Sequence, residues 1–252
     1  MKKIVLVFLI LVLTAVPAMA KTTFTFPATY GQDNFKSLST ELGLAISYDP
    51  LSPAEPLGGL LPGFDAGVEM TAVKINKDNA FWSQAAQGSA LPSYLPFAKV
   101  HVQVGLPVIP LDFGVMYSEL PNTDVKLIGG EIKYAILKGG IAMPAVAIRG
   151  AYTKLSGIDV LDMETKSLDL SISKGFLIVT PYAGIGEVWI TSTPKGSAVA
   201  APPTGPGLTK ENITQTKEFI GAKLTFFPFM NLVAEADFSK VNAYSLRLNV
   251  HF

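Results

Sequence analysis

Charged side chains recur at every second position in several stretches of this sequence, and that spacing limits what chemistry they could do. Asp65 and Glu69 share a phase with Gly67 and Thr71, Lys99 and His101 with Gln103, and Arg149 with Ala147 and Thr153. Asp169 runs in phase with Ser167, Ser171 and Ser173, Lys223 with Gly221 and Thr225, Glu235 with Asp237 and Ser239, and Arg247 with Ser245 and Asn249. A two-residue period places each set on one face of an extended chain. Less regular stretches add Asp112, Glu131, Lys133 and Glu187 to the same group. Charges of both signs gathered on one enclosed face could cross-link opposite walls, each ion offsetting the desolvation of its partner. They could equally ring a narrow aqueous path. Acids are in modest excess, so a path of this kind is expected to favour cations.

Other chemistry finds little support. There are two histidines and no cysteine, which argues against a metal cluster. His101 could act as a general base with a serine and an acid in reach. No serine-containing strand segment follows it closely, so it reads as a space-filling or salt-bridging group, and His251 as a rim residue. Gly184-Ile-Gly186 lacks the third glycine and helix of a dinucleotide fingerprint, and Gly205 to Lys210 lacks phosphate-loop spacing. No cofactor is expected, and an enzyme ranks last among the readings. Basic and acidic residues balance at 20 each, which gives no reason to expect nucleic acid.

The elements carrying these charges show a second face that is apolar. Tyr244, Leu246, Leu248, Val250 and Phe252 oppose Ser245, Arg247, Asn249 and His251. Leu232 to Phe238, Ile220 to Phe226, Leu168 to Ile172, Val146 to Tyr152, Ala98 to Val104 and Phe64 to Met70 alternate in the same way. Met1, Lys2 and Lys3, an apolar run from Ile4 to Val16, and Pro17-Ala-Met-Ala20 have the layout of a signal peptide cleaved after Ala20. Beyond it no apolar stretch is long enough for a spanning helix. A chain that crosses hydrocarbon without helices must close its strands into a barrel, because every backbone polar group needs an internal partner. The sequence therefore predicts an all-β fold, a transmembrane antiparallel up-and-down barrel. Less tidy segments at 111–119, 125–137 and 176–191 bring the clear spans to ten. Short turns near 105–110, 138–144, 174–175 and 227–229 alternate with longer connections, notably 75–94 and 192–213, as in outer-membrane barrels. Aromatics near strand ends, among them Tyr94, Phe97, Tyr117, Trp189, Phe229 and Tyr244, suit interfacial girdles.

Residues 21–63 fit less simply in front of a barrel at 64–252. Asp33 caps a short predicted helix through Leu42, ended by Gly43, and Leu44, Ile46 and Tyr48 alternate like an eleventh strand. Bacterial barrels have even strand counts. Either Thr22 to Phe26 adds a twelfth strand or the segment plugs the mouth or lumen; about twelve strands, within ten to twelve, is the expectation. A soluble β-sandwich is the alternative, and it would bury the apolar faces against each other.

The closing Tyr-x-Leu-x-Leu-x-Val-x-Phe, residues 244 to 252, resembles the terminal signal read by the barrel assembly machinery. Ser52 to Gly58, Gly63 to Glu69, Leu91 to His101 and Ser167 to Phe176 resemble segments of an uncharacterised family of bacterial outer-membrane proteins. The resemblance implies a barrel in the outer membrane of a Gram-negative cell, with lipid and the assembly machinery as partners; it supplies no substrate. Two functions are open. One is a porin-like narrow channel or passive transporter for small or hydrophobic solutes, gated by the N-terminal helix. The other is a structural or surface-interaction barrel with an occluded lumen.

Overall fold

Ten antiparallel strands form a single closed ring in the computed structural model, which describes residues 24–86, 91–119 and 124–252. The strands are β1 (Gly63–Lys74), β2 (Tyr94–Gly105), β3 (Leu111–Glu119), β4 (Lys126–Lys138), β5 (Ala145–Ser156), β6 (Leu161–Ser173), β7 (Val179–Pro194), β8 (Glu211–Phe227), β9 (Met230–Phe238) and β10 (Ala243–His251). Each pairs with its sequence neighbours, and β10 closes the ring on β1 through pairs from Asp65 and His251 to Val73 and Ala243. The apolar faces are thus not stacked between two sheets. The signal-peptide reading lies outside the described residues.

Ten strands, not twelve, resolve the parity problem. Residues 24–26 form no strand, and the eleventh alternation belongs to something else. Helix α1 spans Gln32–Ile46 and runs through Gly43 instead of ending there. Gly31 is the N-cap and Asp33 lies in the first turn, where its charge favours the positive helix end. From Leu38 to Ile46 every side is buried, because the helix lies inside the ring. Gly43 is needed for proximity: a Cβ there would overlap the Ile190 side chain of β7. After Ser47, whose hydroxyl and N–H both donate to Leu44 O, the chain continues down the axis without secondary structure.

Two ends result. Short turns close β2–β3, β4–β5, β6–β7 and β8–β9 at the end that also holds Phe252. The longer connections, including helix α2 (Ala80–Ala85) and a loop at 195–210, lie at the other. The barrel's polarity inverts between them. Toward the turn end Val100, Val102, Val115, Ile132, Ile148, Leu170, Ile172, Ile185 and Ile220 face outward and exposed, while the inward positions are mostly charged or polar, apart from Tyr182, Phe219 and Val233 around Leu51. Toward the loop end outward positions become Lys126, Lys154, Lys166, Thr193 and Thr214. There the inward residues are Val73, Leu95, Phe97, Leu127, Leu155, Leu161, Met163 and Ile190, which pack with Phe26, Tyr30, Phe35, Leu38 and Trp82 into one apolar core. Burying each of these larger side chains stabilises by roughly 1.5–3 kcal/mol. Phe97, expected in a girdle, is a core residue; Tyr94, Tyr117, Trp189 and Tyr244 are exposed on the outer wall.

Candidate functional site: a lumen filled by its own chain

The axial segment from Ser47 to Pro62 contains Pro50, Pro53, Pro56 and Pro62. Proline spacing of three suits an extended chain with no ladder of its own, and prolines lack an N–H. From Ser47 to Ala54 the segment is buried, so its remaining backbone groups must find partners elsewhere. The wall supplies them. The residues following the first three prolines each donate an N–H to a different strand: Leu51 to Glu235 Oε2 at 3.0 Å, Ala54 to Ser173 Oγ at 3.1 Å, and Leu57 to Asp112 Oδ2 at 3.0 Å. The carbonyls accept from wall cations: Tyr48 O from Lys217 at 3.0 Å, Leu51 O from Arg247, and Pro53 O and Glu55 O from Lys133 at 3.1 and 2.9 Å. Arg149 donates to Ser52 Oγ at 2.7 Å.

Ion pairs tie these groups to one another. Lys99 Nζ lies 2.9 Å from Asp49 of the segment and 2.8 Å from Glu69 of the wall. Lys133 pairs with Asp112 at 3.0 Å, Arg149 with Glu131 at 2.8 Å, and Lys217 with Asp169 at 3.5 Å. Glu131 also accepts from Gln103 at 3.0 Å. His101 lies between Arg247, 2.9 Å from Nδ1, and Glu131, 3.4 Å from Nε2. Since arginine can only donate, Nδ1 accepts and the ring proton sits on Nε2, facing the carboxylate. His101 is thereby held as a structural bridge.

Asp65, Glu69, Lys99, His101, Asp112, Glu131, Lys133, Arg149, Asp169, Glu235, Asp237 and Arg247 are all buried inside the ring. Asn249 donates to Asp65, whereas both oxygens of Asp237 lack a hydrogen bond among the described residues. Lys223 is half-buried and lines a cavity of about 150 Å³ at the turn end, with Ser52, Glu55, Arg247, Asn249 and His251. Glu187 is a correction. It is exposed on the outer wall between Ile185 and Trp189, because β7 buries its even-numbered residues from Thr180 to Ser192. It pairs in register with Leu168 and Thr216, near the height where the outer wall turns polar. Tyr244, Leu246, Val250 and Phe252 of the terminal strand are exposed outward, with Leu248 half-buried on the same face. Phe252 exchanges backbone hydrogen bonds with Phe64 at 2.7 and 3.0 Å.

Two functional residues escaped the sequence reading. Lys217 would have followed from extending the phase of Gly221 and Lys223 back along β8. Asp49 offered no periodic signal, since it precedes the proline segment.

The loop end is joined to the same segment. Tyr30 donates to Phe81 O at 2.7 Å, Ser39 to Ser192 at 2.8 Å, and Gln32 exchanges bonds with Thr209 at 3.1 and 3.0 Å. Trp82 Nε1 donates to Glu41 at 2.6 Å. Burial pushes the Glu41 carboxyl above its ordinary range, only partly offset by the Trp82 bond and by Lys240.

The fold is a closed ten-stranded barrel with an apolar outer belt and a self-filled interior. No protein-family model matches the sequence, and no curated protein does. Among solved structures, the N-terminal β-barrel domain of Pseudomonas aeruginosa OprF is 17% identical over 74% of this chain and 97% of its own, with a TM-score of 0.35. Neisserial surface protein A gives 9% identity, 75% and 95% coverage and a TM-score of 0.30. The Ralstonia pickettii toluene transporter TbuX gives 9%, 91% and 98%, with a TM-score of 0.24. At such scores these likenesses say nothing of what the barrel does.

Proposed function

We propose that the protein is an outer-membrane barrel of the structural or surface-interaction kind, its lumen closed by residues 24–62. The carrying observation is that most wall charges, on nine strands from Glu69 on β1 to Arg247 on β10, are spent on the axial segment and on one another. They form no open ring, so the cation-selective path expected from an excess of acids has no lining. The belt at the turn-end half, with polar groups inside it and an apolar core above it, supports the membrane location. The terminal strand supports delivery by the assembly machinery. The loop end, with helix α2, the 195–210 loop and residues 24–31, is the surface such a barrel would present outward.

The test is electrical. The mature chain in planar lipid bilayers should show no steady conductance, and a variant lacking residues 24–57 should conduct. Steady channels in the intact chain would overturn the closed reading. The cavity beside Lys223 favours one second reading, passive transport of small solutes after the segment shifts. Solute uptake by vesicles holding the intact protein would establish it.

A further inference from the structure

Outer-membrane barrels carry an apolar band about 25 Å tall. On β6 the outward apolar residues of the strand are Leu168, Leu170 and Ile172, which at ~3.3 Å per residue and a ~40° tilt cover only about 10 Å. On this strand the full height is approached, at about 23 Å, only if the path continues to Leu177 in the turn. The turn residues match that requirement. Leu60 is 91% exposed, Ile141 104% and Leu177 107%, and Val108, Ile109, Met143, Phe176, Ile178 and Phe229 are also exposed.

Two further observations point the same way. Val108 and Leu177 sit at φ +69° and +51°, a region that disfavours a branched side chain and where glycine or asparagine is usual. A large apolar side chain is kept at each tip despite that strain, which points to function. The connections at this end, residues 58–62, 106–110, 139–144, 174–178 and 228–229, contain no acidic side chain. Lys174 donates to Gly140 O, Ile141 O and Met143 O at 2.7, 2.7 and 3.2 Å, and Lys138 to Val108 O at 3.0 Å. Exposed turn carbonyls are thereby satisfied without water, as a low-dielectric surrounding requires.

We infer that the turn end is immersed in lipid. The tips at Val108, Ile141 and Leu177 reach the hydrocarbon boundary of the leaflet they face, and the Lys138 and Lys174 ammonium groups lie at that same boundary on the tip carbonyls they satisfy. The inference rests on the membrane reading above. The chain has no cysteine, so single nitroxide labels can be placed at will. The full mature chain carrying Leu177→Cys, Ile141→Cys, Leu170→Cys or Thr214→Cys is reconstituted in phosphatidylethanolamine and phosphatidylglycerol vesicles. Collision rates with oxygen and with a water-soluble nickel chelate are then compared. At Leu177 and Ile141 the oxygen-to-nickel ratio should exceed that at Thr214 several-fold and approach that at Leu170. A water-like ratio at the tips with a lipid-like ratio at Leu170 overturns the inference and leaves the membrane reading standing; a water-like ratio at Leu170 overturns the membrane reading itself. Tips shielded from both reagents would mean a protein covers them, which also overturns it.

Discussion

Replacing Lys99 by methionine is the sharpest test of the claim that wall charges hold the axial segment. Its ammonium lies between Asp49 and Glu69, all three groups buried. Without it two carboxylates remain unpaired in a site closed to water. Removing one member of a buried ion pair costs about 3–5 kcal/mol, because the survivor cannot be resolvated in place. Asp49→Asn should cost far less, about 1–2 kcal/mol, because Lys99 keeps Glu69 and the amide still accepts a hydrogen bond. Each 1.4 kcal/mol is a factor of ten in an equilibrium. If the segment leaves before the wall unfolds, Lys99→Met therefore shifts the seated-to-released ratio roughly a hundredfold or more relative to wild type. A glutamate-specific protease reads this directly in detergent micelles, since Glu55 lies on the segment and is half-buried when seated. Cleavage should be slow in wild type, modestly faster in Asp49→Asn and fast in Lys99→Met. The triple change Lys99→Met, Asp49→Asn, Glu69→Gln should recover much of the loss. Equal cleavage of the two single variants would refute the reasoning.

Pro53→Ala adds a buried N–H beside a carbonyl already bonded to Lys133, and should lower the free energy of unfolding by about 1–3 kcal/mol, read from denaturant titration, despite shortening a side chain. Gly43→Ala should destabilise the loop-end core by a similar ~1–3 kcal/mol, with Ile190→Val giving partial recovery in a double-mutant cycle. Glu41 supplies a pH dependence: its carboxyl is raised in the folded state, so its contribution is fully present below the ordinary glutamate range and lost as pH rises through the raised value. Denaturant titrations at stepped pH, followed by tryptophan emission in a Trp189→Phe background, should show that decline with Glu41 in place and a flatter profile in Glu41→Gln.

Strand phases were legible wherever one face was uniformly apolar. The alternation from Tyr244 to Phe252, and from Leu168 to Ile172, had a single solution because a one-residue slip would turn every charge to the outer wall and every apolar side chain inward. The phase of β7 was lost because Gly184 and Gly186 leave two inward positions without a side chain to mark them. Without that mark Glu187 reads as inward by its charge alone, although Ile185 and Trp189 share its outward phase. The sequence ends helix α1 at Gly43 because a glycine after an apolar run ordinarily stops a helix. Only the approach of Ile190 reveals that this one serves packing. The charged set itself was recognised, but its task was not. Sequence spacing shows that charges face inward; it does not show that their partners are the backbone groups of Leu51, Ala54 and Leu57.

Phe24 to Gln32 lie among the long loops, and Phe252 lies at the opposite rim. Ten wall crossings alone would leave both ends of the chain on one side; the passage down the axis makes the number of crossings odd. The described chain is a thread drawn through a ring that the same polypeptide builds afterwards, and β1 leaves the thread directly to form the seam with β10. Residues 24–62 must therefore lie in place before that seam zips, or be drawn through a finished ring too crowded to admit helix α1. Biogenesis is thereby constrained to a sequence of events, with the filling laid down first and the last pair of strands joined around it.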